Sequence, residues 1–237
     1  MTREPGAPTA PRKVWRGWML PRDQHDLVRL AAGVAVLVAA SLPVERGRVG
    51  GLERSVFDAI NGLPAFLWPV MWVVMQLGNL VAIPVAAILA LVRGRRRLTF
   101  DLLVAGTGAY LLVKLVKTIV VRARPGAILD RVVLHGAPAE GSGYPSGHVA
   151  LAAALATAAS PYLSTRGRIA AWSIVGIVMV ARIYVGAHLP LDAVGGAGLG
   201  VALGALVHVL FGAPAVHERG LLTRRRRPAA SPPPGRG

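Results

Sequence analysis

The chain has 237 residues, 54% of them hydrophobic, and its 27 Lys and Arg against 11 Asp and Glu leave a formal net charge of +16. The apolar residues lie in long runs, and about 20 in a row are what a helix needs to cross a bilayer, so an ordinary soluble domain is excluded. Cysteine is absent, which excludes disulfides, thiolate catalysis and Cys-ligated zinc, and the arginines cluster between the runs as topology signals, so no nucleic-acid partner is expected.

In chain order, residues 1–22 are rich in Pro, Gly and Arg and are expected to form a flexible cytoplasmic tail, with Trp15 and Trp18 beside Lys13 and Arg16 at the headgroup layer. The run 27–44 exceeds the apolar region of a signal peptide and reads as a retained helix. Residues 45–62 are polar, with a short interfacial helix expected over 52–60. The run 65–92 is long enough for one tilted helix, with Gly78 and Pro84 as kink points, and the arginines from Arg93 to Arg97 stop it. A third long run covers 98–121, a mixed loop follows to Tyr144, and three closely spaced runs cover 149–163, 169–185 and 191–211.

The expected fold class is therefore all-α: a polytopic membrane protein, a six-transmembrane-helix bundle over residues 23–212, with a basic, Pro-rich, disordered cytoplasmic tail over 213–237. Six crossings place both termini on one side. The N-terminal tail, Arg93 to Arg97, Arg166 with Arg168, and Arg224 to Arg227 all fall there, which marks that side as cytoplasmic. The loop 122–144 and the turn 186–190 are then extracytoplasmic.

Three clusters sit at the membrane boundaries. In the first, Lys117 and Arg124 are seven residues apart, hence on one helical face, and Pro125 ends the helix beside them. The second, Pro145-Ser146-Gly147-His148, opens the fourth long helix, where Ser146 can cap and unpaired N–H groups favour anions. The third runs from Arg182 through His188 and Pro190 to Asp192. There a carboxylate within reach of His188 would fix the tautomer of its imidazole and leave the other nitrogen free to attack. Each cluster has a bland account in isolation: snorkelling cations, an ordinary proline-serine helix start, an amphipathic turn. The expected topology brings all three to one membrane face, where three cations, a helix N-terminus and two histidines match the needs of phosphoryl transfer.

These residues resemble the type 2 phosphatidic acid phosphatase superfamily, whose signature is K-x6-R-P, then P-S-G-H, then S-R-x5-H-x3-D. Order and internal spacings agree over about residues 55–212, with one departure: Ala181 stands where the family usually has serine. The resemblance implies a metal-independent reaction without cofactor, through a phosphohistidine. In it His188 would attack phosphorus, Asp192 would orient His188, and His148 would protonate the leaving oxygen. Lys117, Arg124, Arg182, Ser146 and the Gly147 backbone would hold the phosphate oxygens. The substrate implied is a lipid phosphate or diphosphate, either a polyprenyl diphosphate such as undecaprenyl diphosphate or a phosphatidate-like glycerolipid.

The competing readings are a phosphotransferase, in which an alcohol replaces water as acceptor, and a lipid transporter, whose charges would be expected near the midplane. Oligomeric state is not legible. His25, His135 and His208 carry no partner pattern and read as packing or interfacial residues. Lys114 lies a turn deeper than Lys117. Gly196, Gly200 and Gly204, four residues apart, read as a packing stripe within the bundle.

Overall fold

The computed structural model describes residues 24–45 and 49–214. The headgroup residues Lys13, Trp15, Arg16 and Trp18, together with Arg46, Arg48 and the run Arg224 to Arg227, lie outside the described residues. Among those described the structure is helical throughout, apart from one isolated antiparallel bridge between Ala123 and Ser142.

Helix α1 (Gln24–Glu45) buries a single stripe that includes Asp26, Gly33, Ala40 and Val44, and turns Val34, Val36 and Val38 outward. A helix that is apolar on its outward face as well is stable in hydrocarbon and not in water. Helix α2 (Gly51–Asn61) is of another kind. Its buried residues Glu53, Phe57 and Asn61 recur every four positions on one face, while Leu52 on the opposite side is 81% exposed.

The run over 65–92, expected as one tilted helix with kink points at Gly78 and Pro84, is fully broken, and the break falls at Gly78. A 3-10 turn at Ala65–Leu67 leads into α3 (Trp68–Met75), a second 3-10 turn at Gln76–Gly78 follows, and the chain restarts as α4 (Ala82–Val92). The break lets Gly78 lie against the backbone carbonyl of His148, closer than any side chain there would allow. Short-range bonds satisfy the backbone at the break: the Asn79 N–H donates to the Gln76 carbonyl (2.9 Å) and the Ala82 N–H to the Asn79 carbonyl (2.8 Å), while the side chains of Asn79 and Gln76 pair with each other. Pro84 sits in the first turn of α4, where its missing N–H is not needed, so it introduces no kink.

The remaining helices are α5 (Arg96–Ile119), the single turn α6 (Pro125–Ile128), α7 (Gly147–Ala159) with a 3-10 extension at Ser160–Tyr162, α8 (Thr165–Tyr184) and α9 (Pro190–Phe211). Helices α1, α5, α8 and α9 are each long and apolar enough to cross a membrane. The segments Gly51–Asn61 and Ala65–Gly78 together make a fifth candidate, bent by 76°.

Helix α7 forms the axis of the bundle. Its Val149, Ala150, Ala153 and Ala154 are wholly buried, with α5 on one side and α9 on the other. The approach to α9 is close because α9 presents Gly196, Gly200 and Gly204: a Cβ on Gly196 would lie 2.5 Å from the Ser146 carbonyl, and one on Gly200 would overlap the Ala150 carbonyl. Gly198 turns instead to Gly33 of α1. The stripe therefore serves packing inside the bundle. At the end opposite the start of α7, Arg97 pairs with the buried Asp101 (2.9 Å) and donates to the carbonyls of Phe211 and Gly212 (3.1 and 2.8 Å), placing a cation on the C-terminus of α9.

Replacing Gly200 by valine forces side-chain bulk into backbone. The expected outcome is a loss of roughly 1–3 kcal/mol, read as a lower thermal midpoint in detergent. Gly176→Ala, inside α8 where nothing lies within 4 Å of the added carbon, should not lower that midpoint.

Candidate active site

The start of α7, the end of α8 and the start of α9 meet at one end of the bundle, and the loop after α5 closes over them. Leu189 precedes α9 in extended geometry and Pro190 opens it, so the third residue of the helix, Asp192, turns its carboxylate back: Oδ2 accepts the Leu189 N–H at 2.8 Å. His188 lies one residue before that cap and is 2% exposed. Its Nδ1 is 2.7 Å from the carbonyl oxygen of Gly143 and 3.6 Å from Asp192 Oδ2. The shorter contact is the hydrogen bond. A carbonyl only accepts, so the neutral ring carries its proton on Nδ1 and leaves a lone pair on Nε2. Burial pushes the His188 imidazole down from 6.5 to about 4. The charges of Arg182 and Lys117 push the same way, against the nearby Asp192 carboxylate. The ring is neutral in neutral solution.

Ser146 immediately precedes α7, but its side chain makes no capping hydrogen bond; the expectation that it caps the helix is not met. Its backbone is held instead, the N–H donating to the Asp192 carbonyl at 2.8 Å, and its buried Oγ has no protein partner. Gly147 and His148 form the first turn of α7.

The cations divide by what they touch. Arg124 sits in extended geometry ahead of Pro125, as the residue before a proline prefers; α5 has already ended at Ile119, so Arg124 does not share a helical face with Lys117 as its spacing suggests, and the loop brings it to the site. Its Nε and Nη1 are buried without a hydrogen-bond partner, and so is Nε of Arg182, whose Nη1 reaches only Met75 Sδ at 3.4 Å. Lys117, in the last turn of α5, donates to the Ser142 carbonyl at 2.5 Å. Lys117, Arg124, Arg182, His148, His188 and Asp192 lie close enough for their charges to act on one another. The structure thus gathers the residues singled out in the sequence at one place, with polar hydrogens of two arginines and a serine hydroxyl buried and not engaged by protein. Such an arrangement can bind a tetrahedral oxyanion.

Arg122 is the opposite case. Its Nη1 donates to Glu53 Oε1 and to Asp192 Oδ1, both at 2.9 Å, and its Nη2 donates to Glu53 Oε2 at 2.7 Å. Burial alone would lower the Arg122 pKa, but the two carboxylates hold it above the ordinary value. Arg122, Glu53 and Gly143 were not identified from the sequence. Arg122 falls within the unspecified positions of the first motif, Glu53 had only its neighbourhood of surface charges, and Gly143 acts through its carbonyl.

The other titratable residues are engaged elsewhere. His135 stacks on Tyr184, ring centroids 4.6 Å apart, and His208 contacts the Ala158 carbonyl (3.2 Å) and Asp26 (3.5 Å). The Lys114 ammonium lies 4.4 Å over the Tyr110 ring. Among the described residues, no group of three or more His, Cys, Asp or Glu is arranged to hold a metal ion.

An apolar cavity of about 590 Å3 lies between α4, α7 and α8, lined by Val85, Leu155 and Ile174 and by Gln76 and Asn79 on either side of Gly78; none of the motif residues lines it, and Gly78 against the His148 backbone is its link to the site.

Residues 98–214 match the model of the PAP2 superfamily. The crystal structure of LpxE from Aquifex aeolicus is similar, with a TM-score of 0.61 and 26% identity over 67% of this chain and 95% of that one. So is the crystal structure of a transmembrane PAP2-type phosphatidylglycerolphosphate phosphatase from Bacillus subtilis, with a TM-score of 0.57 and 26% identity over 76% of this chain and 95% of that one. No curated protein sequence matches the chain. The matched span carries all three motifs on the helices that bring them together, and the chain belongs to the PAP2 superfamily as a membrane phosphatase.

Proposed function

We propose that this protein hydrolyses a lipid phosphate or diphosphate through a phosphohistidine on His188. The observation that carries the reading is the hydrogen bond from His188 Nδ1 to Gly143, which directs the free Nε2 lone pair away from its anchor, in a site with buried donors unengaged on Arg124, Arg182 and Ser146. The Nε2 lone pair attacks phosphorus and the bond to the leaving oxygen breaks. That oxygen takes a proton from the His148 imidazolium. Lys117, Arg124, Arg182, Ser146 and the N–H of Gly147 carry the charge on the remaining oxygens, while Asp192 and Gly143 keep His188 oriented. In the second half, water attacks the phosphohistidine, His148 takes its proton, the N–P bond breaks and inorganic phosphate leaves.

The apolar cavity between α4, α7 and α8, whose lining residues Gln76 and Asn79 flank the glycine packed on His148, supports a substrate with a hydrocarbon tail. The Bacillus subtilis relative is named for a glycerolipid phosphate, which supports phosphatidate-like substrates; polyprenyl diphosphates such as undecaprenyl diphosphate offer the same headgroup chemistry. We read the bundle as six crossings, with α3 and α4 forming the second and α7 with its 3-10 extension the fourth. The tails 1–22 and 213–237 are then cytoplasmic and the site extracytoplasmic.

His188→Ala should abolish both turnover and any trapped phosphoenzyme. His148→Ala should be severe for a lipid alkoxide and milder for an activated aryl phosphate, whose leaving oxygen needs no proton. Phosphoenzyme that survives in the His188 variant and vanishes in the His148 variant would reverse the two roles.

Ala156 lines the cavity, so Ala156→Phe should raise KM for a long-chain lipid phosphate and leave a short-chain soluble phosphate unaffected. Equal effects on both substrates would remove the tail from this cavity.

For orientation, Glu140 is exposed in the loop ahead of α7, and the chain has no cysteine of its own. Glu140→Cys should react with a membrane-impermeant thiol reagent in intact cells and Ser231→Cys only after lysis. The converse pattern inverts the topology.

A further inference from the structure

Outside the specified motif positions, one arginine of the site spends both terminal nitrogens on protein carboxylates. Arg122 touches both groups that face His188 Nδ1. Its side chain donates to Asp192 Oδ1, and its main-chain carbonyl accepts the N–H of Gly143 at 2.6 Å. The second oxygen of Asp192 is taken by the Leu189 N–H, so the carboxylate is fixed at both ends. Arg122 is itself gripped through both terminal nitrogens by Glu53, whose Oε1 also accepts the N–H of Leu191 at 3.1 Å. Side chains of Arg122, Glu53 and Asp192 are 5%, 6% and 0% exposed. At such depth a two-pronged guanidinium–carboxylate contact has defined geometry, whereas an exposed pair would not.

Glu53 comes from α2, the amphipathic helix that carries none of the three motifs. The helix is held at its far end as well: Asn61 donates to the carbonyls of Val133 and Tyr184, both at 2.9 Å, and accepts the Val133 N–H at 2.9 Å. With Phe57 buried between them, Glu53 and Asn61 fasten α2 across the loops that follow α5 and α8.

We infer that Glu53 and Arg122 are a positioning pair, which sets the Asp192 carboxylate and the Gly143 carbonyl against His188 and so aims the attacking nitrogen. The inference rests on the reading of His188 as the nucleophile. Neither residue touches the phosphate-binding donors, so the pair acts on the chemical step and not on anion binding. Misplacing a reacting group by about 1 Å costs on the order of 100-fold in rate.

The charged and titratable groups facing His188 are Asp192 of α9, Arg182 of α8, Lys117 of α5 and His148 of α7. Arg122 and Glu53 stand behind Asp192. Catalysis needs neutral His188, so activity falls as pH drops through the pKa of that ring. Removing the Arg122 charge leaves Asp192 less neutralised, which favours the imidazolium and moves the acid limb of kcat/KM upward. Removing the Glu53 charge leaves Arg122 less neutralised and moves that limb downward.

The test compares Arg122→Met, Glu53→Gln and the double variant Glu53→Leu with Arg122→Met in detergent. The double variant guards against an unpaired buried charge unfolding the protein. Measured are kcat, KM, the pH profile, and the inhibition constant of inorganic phosphate, with His188→Ala as reference. The expected result is a fall in kcat on the order of 10- to 100-fold. KM and phosphate inhibition should be unchanged, and the acid limb should move in opposite directions in the two single variants. Wild-type kcat in these variants, with His188→Ala inactive, overturns the positioning role alone. Loss of phosphate inhibition together with kcat in all three variants overturns it in favour of a purely structural role. Turnover by His188→Ala removes the nucleophile reading and the inference with it.

Discussion

Contact between the backbones of α7 and α9 decides where the reactive groups stand. The carbonyl of Ser146 lies against Gly196, and the N–H of Ser146 donates to the carbonyl of Asp192. The unpaired amides that open α7 are thereby set beside the carboxylate that opens α9. A side chain at Gly196 or Gly200 would separate the two helices, and the helix start carrying Ser146 and His148 would move away from His188. The alanines of α7 serve the same end, because a slender helix at the bundle axis lets α5 and α9 approach from both sides. In hydrocarbon, where apolar surface gains little by leaving lipid, such close contact is what holds helices together.

Burial imposes the second constraint. Ionised groups taken out of water must be paired or must have another charge to serve. Arg122 follows the first course, saturated by Glu53 and Asp192. Arg124 and Arg182 follow the second, each keeping buried N–H groups that no protein acceptor engages. The arginines separated by one residue in the first motif thus differ: Arg122 fixes protein to protein, and Arg124 keeps buried donors free for the phosphate that the proposed function assigns to it. The Met75 sulfur beside Arg182 fits this division, being a weak acceptor that leaves the guanidinium largely unspent.

Much of the architecture was legible because it depends on local pattern. Apolar runs delimit α1, α5, α8 and α9 to within a few residues, and Pro190 with Asp192 marks a helix start that the structure retains. In the run over 65–92, Gly78 is legible as a kink point, but the full break there is not, because its reason is remote: Gly78 yields to the His148 carbonyl, which a hydropathy pattern does not contain. The same distinction governs the site. Side chains at fixed spacing, such as Lys117 with Arg124 or His188 with Asp192, can be found from spacing. Gly143 contributes only a carbonyl, and Glu53 meets Arg122 across 69 positions of chain, so neither has a local signature. Ser146 shows the limit of motif logic itself, since a serine ahead of a helix ordinarily caps it and this one does not.

The break between α3 and α4 has a further consequence. The residues around it, Gln76, Leu77 and Asn79, line the apolar cavity, and several lining residues, Leu77, Val85 and Leu89 among them, are about half exposed. If the proposed substrate seats its tail there, a cavity with half-exposed walls would take that tail from the surrounding lipid without lifting it into water. The quantity that governs occupancy is then the mole fraction of substrate within its leaflet, not its amount per volume of suspension. Encounter becomes a two-dimensional search, and diluting the substrate with inert lipid slows it as effectively as removing substrate.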